Sequence, residues 1–335
     1  MLLLSVYRMT PGRCSTGQSG VMQLITAINR VLASPARAVA STRPPLRVGA
    51  VQTSWHPSSA HHVAVLEEGV ALAASVGARI VCLPELTLSP YFAAVGAGPQ
   101  AVDAAPESLP EGPTLAFARR VAMQHGMYVQ ASLWEADTAV APRGWNTSIC
   151  VNPTGALVAS TRKLHIPVTE GYTEDLFFPE GDGGFPVVAI GDVAFGFPTC
   201  WDQWFPELAR VYSLAGAEVL VYPTAIGSEP DHPDFDTQPL WQHVIVGNGI
   251  TNATFMIAVN RIGTEHLPGA PAITFYGSSF ISDPYGRILV QAPRSEDAVI
   301  VADLDLDARR DWLALFPFLA TRRPDTYASL VAPRV

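Results

Sequence analysis

From residue 46 onward, short apolar runs alternate with longer stretches in which apolar residues recur at helical spacing. The helical stretches are His61–Val76, Thr114–His125, Pro206–Leu214 and Leu240–Asn252, the third opened by a proline suited to a first helical turn. The apolar runs predict strands at Leu46–Gln52, Arg79–Leu83, Tyr128–Leu133, Asn146–Val151, Ala156–Ser160, Val187–Ile190, Val193–Phe197, Glu218–Tyr222, Phe255–Asn260, Ser278–Ser282, Arg287–Gln291 and Ala298–Ala302. Turn chemistry joins several of these as hairpins: Asn152-Pro153-Thr154-Gly155, Gly191-Asp192 and Asp283-Pro284-Tyr285-Gly286. Strands apolar on both faces, mixed with hairpins and helices, predict two sheets packed together with helices outside. No repeat or low-complexity linker interrupts residues 46–320, so residues 46–335 are read as one domain.

Residues 1–45 differ. The first acidic residue is Glu67, and Arg8, Arg13, Arg30, Arg37 and Arg43 lie among Ser, Thr and Ala. This span is read as a leader, either disordered, transit-like, or an over-extended start with Met22 as an alternative initiator. The whole chain is 48% hydrophobic and 15% charged with a net charge of −9, which fits a compact globular protein and excludes the basic surface of a nucleic-acid binder. No apolar run is long enough to span a bilayer. Cys14, Cys82, Cys150 and Cys200 are widely spaced, which suits a reducing, cytoplasmic setting more than a disulfide framework or a zinc site.

Lys163 is the only lysine among 21 basic residues. A bias that replaces lysine wherever arginine will serve leaves lysine where a compact ammonium is needed. Lys163, Glu85 and Cys200 each end or leave a buried strand, and together they supply a cation, a base and a nucleophile for acyl transfer. Cys200 lies between a strand end and a helix start, where free N–H groups and the dipole favour the thiolate. Each of the three has a plainer alternative when taken singly: a rim glutamate, a surface lysine, a buried structural cysteine. His232, Asp234 and Asp236 form an acidic loop read as solvated, and Gly181-Asp182-Gly183-Gly184 is read as a turn.

The segments LPELTLSPY, RKLHIP and TCWDQWFPE resemble the three signature stretches of the nitrilase superfamily of carbon–nitrogen hydrolases. The resemblance implies a four-layer α-β-β-α sandwich, with Cys200 as nucleophile, Glu85 as base and Lys163 facing the oxyanion beside the backbone N–H of Trp201. It implies no metal or organic cofactor, and association into a homodimer or larger assembly near the nucleophile helix, where Phe205, Leu208, Val211 and Tyr212 are candidate contacts that burial inside the protomer explains equally well. A second glutamate near the lysine is placed at Glu174, with Glu170 as the rival. HIP, CWDQWFPE and YPTAIGSEP are most similar to the branch acting on N-carbamoylputrescine, which implies Glu229 as the contact for a distal amine, with Trp201 and Tyr91 also on the substrate side. The stretch Asn260–His266 leans towards the β-ureidopropionases, so the alternative is a β-ureidopropionase-like or general aliphatic amidase acting on an uncharged or carboxylate-bearing substrate.

Overall fold

The computed structural model describes the backbone of residues 5–7 and residues 22–29 and 31–332. Two sheets lie face to face. The first runs in the order Ser5–Tyr7, Gln23–Ala27, Ala298–Leu304, Leu46–Gln52, Ile80–Cys82, Tyr128–Glu135, Trp145–Val151 and Leu157–Arg162. The second runs Val187–Ile190, Val193–Gly196, Val219–Pro223, Phe255–Val259, Phe280–Ser282 and Ile288–Gln291. Alternation along each strand explains why both faces are apolar. Val48, Ala50, Ile80 and Ile300 face Phe195, Val219, Val221 and Ile257 across the gap between the sheets. Val51, Val81, Val129 and Val299 point outward onto the helices Ser59–Ser75 and Pro113–His125. Leu220, Tyr222 and Met256 do the same beneath Pro206–Leu214 and Gln238–Asn252. The result is the α-β-β-α sandwich expected.

Leu46–Gln52, Ile80–Cys82 and Tyr128–Glu135 are mutually parallel, as are Val193–Gly196, Val219–Pro223 and Phe255–Val259. Parallel neighbours need crossovers, so loops gather at the C-terminal strand ends, where ligand sites of such sheets form. Among the described residues, no helix is long and apolar enough to cross a membrane.

Two expectations are corrected. The described part of the leader beyond residue 21 is built into the fold, which departs from the disordered and transit-like readings of that part and leaves the reading with Met22 as initiator untouched. Gln23–Ala27 pairs in parallel with Ala298–Leu304, and its alternation buries Leu24 on the helix side and Ile25 between the sheets. Arg37 pairs with Asp305 and Asp311, and Arg43 with Glu218 and Asp192. Arginines without nearby acids in sequence thus find their partners far along the chain, Arg43 in its middle and Arg37 near its far end. Residues 1–4 and 8–21 and Arg30 lie outside the described residues. Of the four candidate interface residues, Leu208 and Tyr212 face inward and are almost fully buried in the protomer, whereas Val211 is exposed.

Candidate active site

Each of the three candidate residues is held by its own strand end. After Ile80–Cys82 the chain turns through Glu85, with the Leu83 N–H donating to Gln130 Oε1 (3.1 Å), the Leu86 N–H to Ser132 Oγ (3.1 Å) and the Thr87 N–H to the Ser132 carbonyl (2.8 Å). Lys163 leaves Leu157–Arg162, its N–H donating to the Asn146 carbonyl (2.8 Å) and its carbonyl accepting from Gly181 (2.8 Å). A Cβ at Gly181 would lie 2.6 Å and 2.7 Å from the carbonyl oxygens of Arg162 and Lys163, so the close approach requires glycine. The expected Gly-Asp-Gly-Gly turn therefore backs the lysine. Cys200 opens a short 3₁₀ turn, Cys200–Trp204.

Asp202, fully buried in that turn, accepts from the Thr199 N–H (3.2 Å), the His165 N–H (2.9 Å) and His165 Nδ1 (2.7 Å). It fastens the chain just after Lys163 to the turn that carries Cys200. His165 is further stacked on Phe205, with ring centroids 3.6 Å apart.

Lys163 Nζ donates to Glu85 Oε1 (3.0 Å) and to both oxygens of Glu174 (2.8 and 2.6 Å), all three side chains being inaccessible to solvent. Glu174 is therefore the glutamate beside the lysine, and Glu170 is exposed. Asn146 Nδ2 also donates to Glu85 Oε1 (2.8 Å), which leaves Glu85 Oε2 without a partner among the described residues. Tyr91, expected on the substrate side, is buried and donates its hydroxyl to Glu174 Oε1 (2.8 Å), so its contact is with the carboxylate.

Two buried carboxylates share one ammonium. Burial pushes the Glu174 carboxyl up to about 7, against the pull of Lys163. Lys163 is held above the ordinary lysine range because Glu174, Glu85 and Cys200 outweigh its burial. Burial, with Glu85 second, pushes the Cys200 thiol well above its ordinary value, and Lys163 and a backbone hydrogen bond from Ala225 only partly oppose this. The expectation that the strand-to-helix junction favours the thiolate is thus corrected. The turn is a single short 3₁₀ segment in a dry site, where desolvation exceeds its dipole. Burial thus favours the thiol over the thiolate at Cys200.

Further out, Tyr172 receives the Gly227 N–H (2.9 Å) and donates to the Ser228 carbonyl (3.1 Å). It fixes the loop that carries Glu229. Tyr172 and Tyr276 both lie within electrostatic reach of Cys200 and Glu229. Glu229 is partly buried, its carboxyl raised chiefly by burial, and Thr237 Oγ1 donates to it (3.4 Å). Trp201, next to Cys200, is half-buried with its ring 6.1 Å from that of Trp204. Among the described residues no group of His, Cys, Asp or Glu is placed to hold a metal ion.

Residues 47–314 match the carbon-nitrogen hydrolase family. The chain belongs to it. This hydrolase, acting on carbon–nitrogen bonds, is 37% identical over 289 residues to a citrullinase of Francisella tularensis, covering 85% of this chain and 98% of that protein. It is equally 37% identical over 292 residues to an N-carbamoylputrescine amidase of Arabidopsis thaliana, covering 85% and 94%. Its fold resembles that of a carbon-nitrogen hydrolase from Helicobacter pylori with a TM-score of 0.78, at 31% identity over 87% of this chain and all of that one.

Several residues of the hydrolase site escape sequence reasoning. Asn146 meets Glu85, Tyr172 meets Gly227 and Ser228, and Tyr276 lies near Cys200, all across gaps of more than 50 residues in sequence. Asp202 alone carried a local signal, a Thr-x-x-Asp spacing at the start of a turn.

Proposed function

We propose that this hydrolase cleaves an N-carbamoyl amine, N-carbamoylputrescine first, through a covalent intermediate on Cys200. The carrying observation is the dry Glu85–Lys163–Glu174 cluster within electrostatic reach of Cys200, with Glu85 Oε2 left open. Cys200 Sγ attacks the ureido carbon as its proton passes to Glu85 Oε2. The negative oxygen that develops is met by Lys163 Nζ and the Trp201 N–H. The proton on Glu85 goes to the departing nitrogen, and Glu85 then activates the water that cleaves the thioester. The carbamic acid breaks down to carbon dioxide and free nitrogen base, giving amine, carbon dioxide and ammonia.

The amine end is assigned to Glu229, a partly desolvated carboxylate suited to a terminal ammonium, with Tyr172 and Tyr276 lining the approach. A carbamoyl amino acid is the second reading, favoured by Arg294, whose guanidinium lies 5.7 Å from the Tyr276 ring centroid. That guanidinium already holds Asp236 by two 2.8 Å bonds, so a substrate carboxylate would have to displace it. This places the amine first.

Cys200→Ala is expected to abolish release of ammonia while the protein stays folded; turnover in that variant would overturn the mechanism. In an assay across N-carbamoylputrescine, citrulline and N-carbamoyl-β-alanine, Glu229→Gln should raise KM for the cationic amine by about 10-fold or more. An unchanged KM there, or a preference for citrulline lost in Arg294→Ala, would overturn the amine assignment.

A further inference from the structure

Glu85 and Tyr91 bound a seven-residue turn whose backbone is gripped from one side by an ion pair that the chemistry above does not use. Arg261 is nearly inaccessible. Its Nη2 donates to the carbonyls of Glu85 (2.6 Å), Leu86 (3.2 Å) and Ser89 (3.2 Å). Its Nη1 donates to Glu265 Oε1 (2.5 Å), and Glu265 Oε2 accepts the Tyr91 N–H (2.6 Å). The guanidinium also lies 5.5 Å from the Phe275 ring centroid, and the Asn260 side chain locks the adjoining backbone to Ile226 and Gly277.

What this grip restrains is unusual. Leu86, directly after Glu85, is fully buried and has φ 49°, a left-handed conformation disfavoured for a branched side chain. Such a conformation persists only where its surroundings enforce it. Carbonyls 85 and 86 flank the unfavourable residue, and both are held by the same guanidinium nitrogen. At the other end of the turn, the Tyr91 backbone is held by Glu265 while its hydroxyl donates to Glu174.

We propose that Arg261 and Glu265 are positioning residues that act on both carboxylates of the site: on Glu85 by holding the strained turn behind it, and on Glu174 by fixing Tyr91. This rests on the reading of Glu85 as the base. The guanidinium spreads its donors over separate nitrogens, Nη2 on the three carbonyls and Nη1 on Glu265, whereas a lysine would offer all its donors from a single atom and could not span both sets. The inference therefore predicts that charge at position 261 is insufficient.

The test compares the wild-type protein with Arg261→Lys, Glu265→Gln, Glu85→Gln and the Arg261→Lys/Glu85→Gln double variant, each first shown to be folded by its thermal transition. Turnover on N-carbamoylputrescine is measured, together with the rate at which iodoacetamide labels Cys200, followed by intact mass and peptide mapping. In labelling, the sulfur forms a bond to carbon, iodide leaves with its electron pair, and the thiol proton passes to Glu85. Arg261→Lys and Glu265→Gln are each expected to lower kcat by about 10- to 100-fold with KM within about threefold of wild type. Arg261→Lys should slow labelling about tenfold in the wild-type background and less than about twofold in the Glu85→Gln background, because a group acting through Glu85 has nothing left to position. A packing role would slow both backgrounds alike, and that result overturns the proposal, as does a kcat within about threefold of wild type in the folded variants. If Arg261→Lys does not fold, the near-isosteric Glu265→Gln decides by the same kcat criterion. Glu85→Gln labelled as fast as wild type overturns the base assignment itself; Glu85→Gln slowed with Arg261→Lys unaffected overturns only the positioning role.

Discussion

Lys163 gathers the buried charges of the candidate site at one atom. Its Nζ lies within hydrogen-bond reach of two buried carboxylates, and it is the only lysine in a chain of 20 other basic residues, all arginine. A guanidinium would fit neither the enclosed volume nor the single donor point required. Lys163→Arg is expected to lower kcat by about 10²–10³, measured by ammonia release in folded protein. Glu174 adds a signature in pH. Its carboxyl sits at about 7 in the folded protein against an ordinary 4.5, so its contribution to stability is present below about 4.5 and is lost as pH rises through about 7. Denaturant melts at pH 5 and pH 8 should show a fall in stability that Glu174→Gln flattens; an unchanged slope would mean that the carboxyl is ionised throughout. The residue types were legible in the chain because charges at the ends of apolar strands are costly. Their mutual distances were not, since Glu85, Lys163 and Cys200 stand on three separate strands.

At the scale of elements, the hairpins around Asn152–Gly155 and Gly191-Asp192 form as expected, and the helix at Pro206–Leu214 keeps its bounds. The hairpin Ile262–Glu265 with Ile273–Tyr276 has no local signal, because a proline-containing loop separates strands whose outward positions are polar. That hairpin nevertheless brings Glu265 to the base turn. The turn Cys200–Trp204 depends on Asp202, which satisfies donors from two segments. Asp202→Ala leaves those donors unpaired in a buried setting and should cost about 3 kcal/mol, read from the urea midpoint, with a further loss of kcat because Lys163 and Cys200 lose their shared fastening. Loss of stability without any loss of kcat in the folded fraction would show that the fastening is not needed for catalysis.

At the scale of the molecule, the two ends of the described chain hold each other. Gln23–Ala27 is interior to the first sheet, and Asp307 accepts the backbone N–H groups of Thr42 (2.5 Å) and Arg43 (3.2 Å) and the Ser41 hydroxyl (2.9 Å). Burial raises the Asp307 carboxyl, but these bonds and Arg310 outweigh it and hold it down at about 2, below an ordinary 3.8. Its stabilisation is therefore present above about 3.8 and lost as pH falls through about 2. Removing residues 1–45 should strip a paired strand and several ion pairs, lowering the thermal midpoint by about 10 °C or abolishing soluble expression. A truncated protein as stable as the full chain would restore the reading of that span as a leader.

The sequence by itself determined the layering, because apolar strands of period two and helices of period 3.6 can bury their faces in few ways. It also determined which residue types carry chemistry, since a lone lysine and strand-end charges are marked by composition and desolvation cost. Only the tertiary structure decided that Glu174 and not Glu170 meets the lysine, that Tyr91 serves a carboxylate, that burial raises the Cys200 thiol, and that Arg261 grips the turn behind Glu85. Those outcomes depend on distances between segments up to 176 residues apart and on how much water each group loses, and neither quantity is local in the chain.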